Sequence, residues 1–204
     1  MCKLSSRGYV YSVSRDKISQ EVSLDLPDCN KDGSNSYADM KYPNVTFANN
    51  KVIYNYPYDS GIHTIDLATG ERHAYNVDSG FAKNSLKLYK GDKAMVNWLG
   101  YDWSNPHFYE VSYMPQTGLY ARFMLGGIDT DKYKDRQTIV NAKRLYVAFL
   151  DRDFNLVGEF ALKENRYSNF NGWCVLPNAI IIYDENLLGQ VQDNLAFDVI
   201  AQIN

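Results

Sequence analysis

The sequence predicts an all-β protein of the β-propeller kind, with about four antiparallel blade units in a single propeller-like domain over residues 1–204. Three observations lead there. Helical periodicity is nearly absent, and short β-rich runs are separated by Gly, Asn, Asp and Pro throughout. Four stretches read as the same strand–turn–strand hairpin: residues 9–26 (YVYSVSRDKISQEVSLDL), 63–77 (HTIDLATGERHAYNV), 107–125 (HFYEVSYMPQTGLYARFML) and 145–162 (LYVAFLDRDFNLVGEFAL). Successive hairpins begin roughly 40–55 residues apart, the period of propeller blades with connections of unequal length.

The turns justify each hairpin. Arg15-Asp16, Thr69-Gly70, Thr117-Gly118 and Asp153-Phe154-Asn155 supply local hydrogen bonds or tolerate positive φ. The second and third units agree beyond the turn. Tyr58-Asp59 aligns with Tyr101-Asp102 at a strand end, His63 with His107, Asp66 with Glu110, and Thr69-Gly70 with Thr117-Gly118. A looser copy closes the chain with Tyr183-Asp184 and then Phe197-Asp198. The expected repeats therefore cover residues 1–43, 44–88, 89–143 and 144–204. Within the second, residues 44–48, 52–58, 62–67 and 71–77 are strands a to d, counted from the hub outward.

In such a blade the c–d turns lie at one side of the ring, and the b–c and d–a connections at the other. The long connections (residues 27–43, 78–88, 126–143 and 163–172) fall on the b–c/d–a side, and long connections over a rigid scaffold are where binding residues collect. Four units make a short ring, so the expectation extends to a small propeller, an incomplete ring or an open stack that needs a partner. The chain opens within a c-type strand, which predicts further blades before Met1.

Composition removes several classes. A net charge of −3 at pI 5.6, with scattered Lys and Arg, gives no field for nucleic acid or an anionic membrane. No signal peptide is read at the start, and no apolar run approaches the ~18 residues of a membrane-spanning helix. The three cysteines, Cys2, Cys29 and Cys174, show no metal or redox spacing, and an odd count leaves at least one thiol unpaired in a monomer. The 17 Tyr suit half-buried strands and equally suit exposed stacking surfaces.

The sharpest local motif is DCNKDGSNSYAD, in which Asp28, Asn30, Asp32, Ser34 and Asp39 place short oxygens at the alternating positions of a calcium loop and Gly33 permits its turn. Asp in place of the twelfth-position Glu, Asn35 where an apolar residue is usual, and strand-like flanks depart from the helical form of that motif. The competing reading is a polar connection rich in turn formers. No other cofactor fingerprint, nucleophile elbow or phosphate loop is present. Asp59, Asp102 and Asp184 allow a carbohydrate-active hydrolase, because acidic residues from different blades can meet near a propeller axis. Their recurrence as Tyr-Asp is also what a structural repeat requires. Tyr58, Tyr101, Trp103 and Trp173 are the ligand-binding candidates, since aromatic rings stack on sugar faces or anchor protein partners. Trp103 stands out because DWSNPH reads as an exposed loop.

The stretch YEVSYMPQTGLYARF (residues 109–123), with the ending WCVLPNAIIIY (173–183) followed by LAFDVI (195–200), resembles six-bladed propeller-like proteins of unknown function, mostly lipoproteins of gut Bacteroidetes. The resemblance covers about the last two-thirds of the chain. It implies a propeller and a cell-envelope setting, and it implies no activity. The sequence reading is thus a non-enzymatic binding or interaction protein that uses the b–c/d–a face for a protein or saccharide ligand, with a carbohydrate-active hydrolase as the alternative.

Overall fold

The structure, a computed structural model, describes residues 6–12, 17–25, 42–82, 95–132, 142–164, 166–167, 172–184 and 197–201. The chain divides into two compact units, Met1–Tyr42 and Pro43–Asn204. In the first, β1 (Ser6–Ser12) pairs antiparallel with β2 (Lys17–Leu24), with a bulge between Val10 and Tyr11. Along the end of β2, buried Val22 and Leu24 alternate with exposed Glu21 and Ser23, the period-two pattern of a half-buried strand.

Among the described residues, the second unit holds three antiparallel sheets. β3 (Asn44–Ala48), β4 (Lys51–Asn55), β5 (Ile62–Asp66) and β6 (Arg72–Tyr75) form the first, paired in sequence order. β7 (His107–Met114), β8 (Leu119–Leu125), β9 (Leu145–Leu150) and β10 (Leu156–Ala161) form the second, again in order. β11 (Trp173–Val175), β12 (Ala179–Tyr183) and β13 (Phe197–Ala201) form the third. The all-β expectation holds, and the strands of the first sheet fall close to the four expected over residues 44–77.

Alternation along the second sheet builds both interfaces. Tyr120 and Met124 of β8, with Ala148 and Leu150 of β9, face the first sheet and meet Ala48, Ile53 and Ile62. The intervening Ala121, Phe123, Leu125, Leu145 and Val147 face the third sheet and meet Ile180 and Ile182. The second sheet is therefore apolar on both faces and lies between the other two. Its first strand, β7, packs beside β3 and β4 on one side and β11 on the other.

The turns account for the tight hairpins. Asn49 and Asn50 take φ of 52° and 59°, the left-handed pair of a two-residue hairpin turn. Gly70 and Gly118 take φ of 77° and 70°, and each donates its N–H back to a strand carbonyl, Asp66 at 2.8 Å and Met114 at 2.9 Å. In the β9–β10 turn, Phe154 adopts φ of 61° and is held there by ring contacts with Tyr75 and Tyr120, both at 4.8 Å. The Asp151 carboxylate accepts from the Asp153 and Asn155 amides at 2.9 and 2.8 Å, a turn-capping role.

Two sequence expectations are corrected here. The hairpins over residues 107–125 and 145–162 belong to one sheet, and the expected repeat boundary between 143 and 144 falls inside it. His63 consequently lies in a third strand and His107 opens a first strand; their turns match, and their places in the sheets do not. Residues expected to form a strand ending at Tyr101-Asp102 instead form helix α1 (Met95–Ser104). Its end is fixed by Ser104 Oγ and Asn105 Nδ2, which donate to the Tyr101 carbonyl at 2.9 and 2.7 Å, and by Pro106, which cannot extend a helix.

Candidate functional site

In an antiparallel meander, the connections after the second strand and before the first share one end of the sheet. Tyr58 lies between β4 and β5, α1 lies in the connection from β6 to β7, Lys143 precedes β9, and Trp173 opens β11. All four positions are at the b–c/d–a end. There α1 is anchored to the connection after β8: Ile128 donates its N–H to the Trp103 carbonyl at 3.0 Å, and a Cβ on Gly127 would come within 2.4 Å of the Ser104 oxygen. Only glycine permits that approach.

A row of rings crosses this end. The Tyr58 ring lies 6.3 Å from Tyr101 and 5.6 Å from His107, edge-on. His107 is 4.6 Å from Tyr109, Tyr109 meets Trp173 edge-to-face at 4.6 Å, and Trp173 stacks on Phe123 at 4.3 Å. The row runs from α1 over the second sheet to the third. Three of the four aromatic candidates, Tyr58, Tyr101 and Trp173, belong to it. Trp103 lies in the last turn of α1, half-buried, rather than in an exposed loop as the sequence suggested. Tyr58 is buried, so it supports the row from beneath.

Charged groups sit among the rings. Tyr58 donates its hydroxyl to the Asp102 carboxylate. Lys143, buried, donates to the Asp102 carbonyl at 3.2 Å, and burial lowers its pKa while Asp102 opposes the shift. Burial, reinforced by Lys143 and opposed by Asp102, brings His107 down to about 4, so its imidazole is neutral at pH 7. Burial also pushes the Tyr109 phenol upward, with Asp102 and Glu110 adding to the effect. Sequence reading took His107 as a repeat residue and passed over Tyr109 and Lys143, since only the fold brings them beside Asp102.

The three aspartates have different surroundings. Asp59 accepts the Gly61 N–H at 2.8 Å, closing the turn after β4. Asp102 is in α1 beside Tyr58. Asp184 is buried at the end of β12 and accepts from Arg166 Nε at 2.6 Å. Arg166 also reaches Asp198 at 3.1 Å, and Tyr167 donates to Asp198 at 2.5 Å, so this group ties β12 to β13. Asp28, Asn30, Asp32, Ser34 and Asp39 lie outside the described residues. Among the described residues, no three His, Cys, Asp or Glu side chains group as metal ligands, and no helix is long and apolar enough to cross a membrane.

A second polar feature was not anticipated. Arg122, an isolated charge in the apolar strand YARFML, is fully buried and donates to the carbonyls of Ser60 at 2.7 Å and Val77 at 2.6 Å. Its guanidinium lies 5.0 Å from the Phe108 ring centroid. Burial lowers its pKa to about 10, against the pull of Asp78 and Asp59, so the charge is retained at neutral pH. Arg122 holds the connections of the first sheet against the second.

Stacked antiparallel sheets with an aromatic row across one end define an all-β scaffold protein whose connections carry the candidate site. Residues 10–161 match the family model described as a domain of unknown function, DUF4221, and the chain belongs to that family. It is similar to a crystal structure of a DUF4221 member from Bacteroides vulgatus, with a TM-score of 0.63 and 18% identity. That match covers 81% of this chain and 47% of the other, so this chain spans about half the length of that structure. At this identity the likeness speaks for the fold. No curated protein matches.

Proposed function

We propose that the chain is a non-enzymatic binding module of the β-propeller kind that takes a glycan at its b–c/d–a end. The observation that carries the reading is the row of rings from Tyr101 to Trp173, with Trp103 two positions further along α1. Half-buried aromatic rings among polar groups offer an apolar face to a sugar ring and hydrogen-bond partners to its hydroxyls. The propeller reading is supported by in-order antiparallel sheets packed face to face, with first strands β7 and β11 adjacent. The separate engagements of Asp59, Asp102 and Asp184 favour binding over hydrolysis, which needs two carboxylates facing one bond. The resemblance over residues 109–123 supports a cell-envelope setting. Calcium bound by the Asp28–Asp39 oxygens belongs to the same reading, as a brace for a long connection.

The test is a melting series of the purified chain with an oligosaccharide panel, run with calcium and with chelator. A bound saccharide raises the melting temperature, because it binds only the folded state. Trp103→Ala and Tyr101→Ala are expected to weaken that saccharide about tenfold or more, ~1.4 kcal/mol, while leaving the unliganded melting temperature near its starting value. A protein that shifts with no saccharide overturns the glycan assignment. Turnover of a saccharide that disappears in Asp102→Asn would establish the hydrolase instead.

A further inference from the structure

The last carbonyls of a helix have no partner within it, so donors from elsewhere decide how its final turn sits. Among the described residues, three such carbonyls of α1 are engaged. The Tyr101 carbonyl accepts from Ser104 Oγ and Asn105 Nδ2, both at the end of the helix itself. The Trp103 carbonyl accepts the Ile128 N–H at 3.0 Å. The Asp102 carbonyl accepts from Lys143 Nζ at 3.2 Å and from the Asn105 N–H at 3.3 Å. Ile128 follows β8 and Lys143 precedes β9, so the two ends of one connection hold two consecutive peptide groups of α1.

The local sequence makes that hold matter. Glycine and aromatic residues are weak helix formers, and α1 ends in Gly100-Tyr101-Asp102-Trp103-Ser104. Its last turn contains an aspartate and no basic residue, and a carboxylate is unfavourable near the negative end of a helix dipole. Lys143 supplies from outside the helix the cation that this turn lacks. Lys143 is 6% exposed, and a buried ammonium is tolerated only when it is paired. Its hydrogen bond goes to the Asp102 carbonyl, while the Asp102 carboxylate, held by the Tyr58 hydroxyl, opposes the effect of burial on the lysine.

Asp102 stands between Tyr101 and Trp103 in the chain, so fixing its peptide group fixes the backbone from which both rings project. We propose that Lys143 is the positioning residue of this end: its ammonium caps the last turn of α1 at Asp102 and thereby sets the rings of Tyr101 and Trp103 for a ligand. The ligand part rests on the glycan reading above, and the hold on α1 does not. A lysine that merely filled space would yield to methionine without local consequence, since apolar replacements of buried charges are often neutral for stability.

The test is hydrogen–deuterium exchange of the full chain, read peptide by peptide, for the parent, Lys143→Met and Lys143→Arg. Lys143→Met is expected to speed exchange over residues 100–105 by about tenfold or more, with exchange in β8 and β12 unchanged. Lys143→Arg keeps a cation and a donor, and its exchange is expected to stay within about threefold of the parent. If Lys143→Met does not fold, Lys143→Gln takes its place with the same expectation. Unchanged exchange over residues 100–105 overturns the proposal, as does acceleration spread equally over the sheets, or an arginine variant as fast as the methionine one. A saccharide that binds the parent should bind Lys143→Met about tenfold more weakly at an unchanged melting temperature, and equal affinity also overturns the positioning role. A panel with no bound saccharide overturns the glycan reading, and exchange over residues 100–105 then decides the role of Lys143 without it.

Discussion

Neighbouring residues on β8 look into two differently built interfaces. Arg122 points toward the first sheet, where its guanidinium donates to Ser60 and Val77 carbonyls, and where Glu159 accepts from Ser79 and Gly80. Phe123 points toward the third sheet, where it stacks on Trp173 among Ile180, Ile182 and Val147. One interface combines an apolar centre with polar ties from the connections. The other is apolar in its centre, with Phe149, Val157, Phe160 and Ile200 lining its outer margin. Polar ties cost desolvation and specify one geometry.

Three perturbations separate these accounts. The largest effect should come from Phe123→Ala, which opens a cavity in the apolar interface and removes the support under Trp173. About 4 kcal/mol of unfolding free energy should be lost, read by urea denaturation. Arg122→Met should cost less, about 3 kcal/mol, because the methionine keeps the volume while two buried carbonyls lose their donor. If Arg122→Met is neutral, the polar ties do not stabilise the first interface. The two effects should combine with little additivity, since the residues are adjacent on β8 and both act through the second sheet.

The third effect concerns pH and is small over any one pH unit. The pKa of His107 is lowered from 6.5 to about 4 on folding, so between these values the unfolded chain binds more protons than the folded one. Stability at neutral pH should therefore decline as pH falls from about 6.5 toward 4, at no more than about 1.4 kcal/mol per pH unit from this group. His107→Gln should flatten that limb in denaturation curves taken across the window. A limb unchanged in His107→Gln would assign the acid sensitivity to other groups and leave the ring row electrostatically quiet.

Much of the scaffold was legible because its signals are local. Thr69-Gly70 and Thr117-Gly118 mark hairpin turns by the positive φ they need, and residues 44–77 show four runs at strand spacing. Sheet membership was not legible, because identical turn chemistry closes a c–d hairpin at Gly70 and an a–b hairpin at Gly118. Which hairpins share a sheet is set by long-range packing. Helix α1 was missed because a short aromatic run such as VNWLGYDW carries no clear period, and docking against the connection at Gly127 and Ile128 accompanies its helical form. Within the site, Tyr58, Tyr101 and Trp173 could be named from their residue type. Lys143, His107 and Tyr109 enter only through the fold. Arg122 did leave a signal, a lone charge between apolar residues of a strand, which a reading of alternation along β8 would have found.

Trp103 in α1 and Trp173 at the start of β11 both lie at the proposed binding end. Their fluorescence therefore reports on that end directly. The deciding measurement is a fluorescence titration of the full chain with the oligosaccharide panel, repeated on Trp103→Ala and on Phe160→Asp. The account predicts a saturable change with at least one saccharide, with affinity lost in Trp103→Ala, read from the remaining tryptophans, and kept in Phe160→Asp. No saturable change with any saccharide, or binding that survives Trp103→Ala and fails in Phe160→Asp, would contradict it.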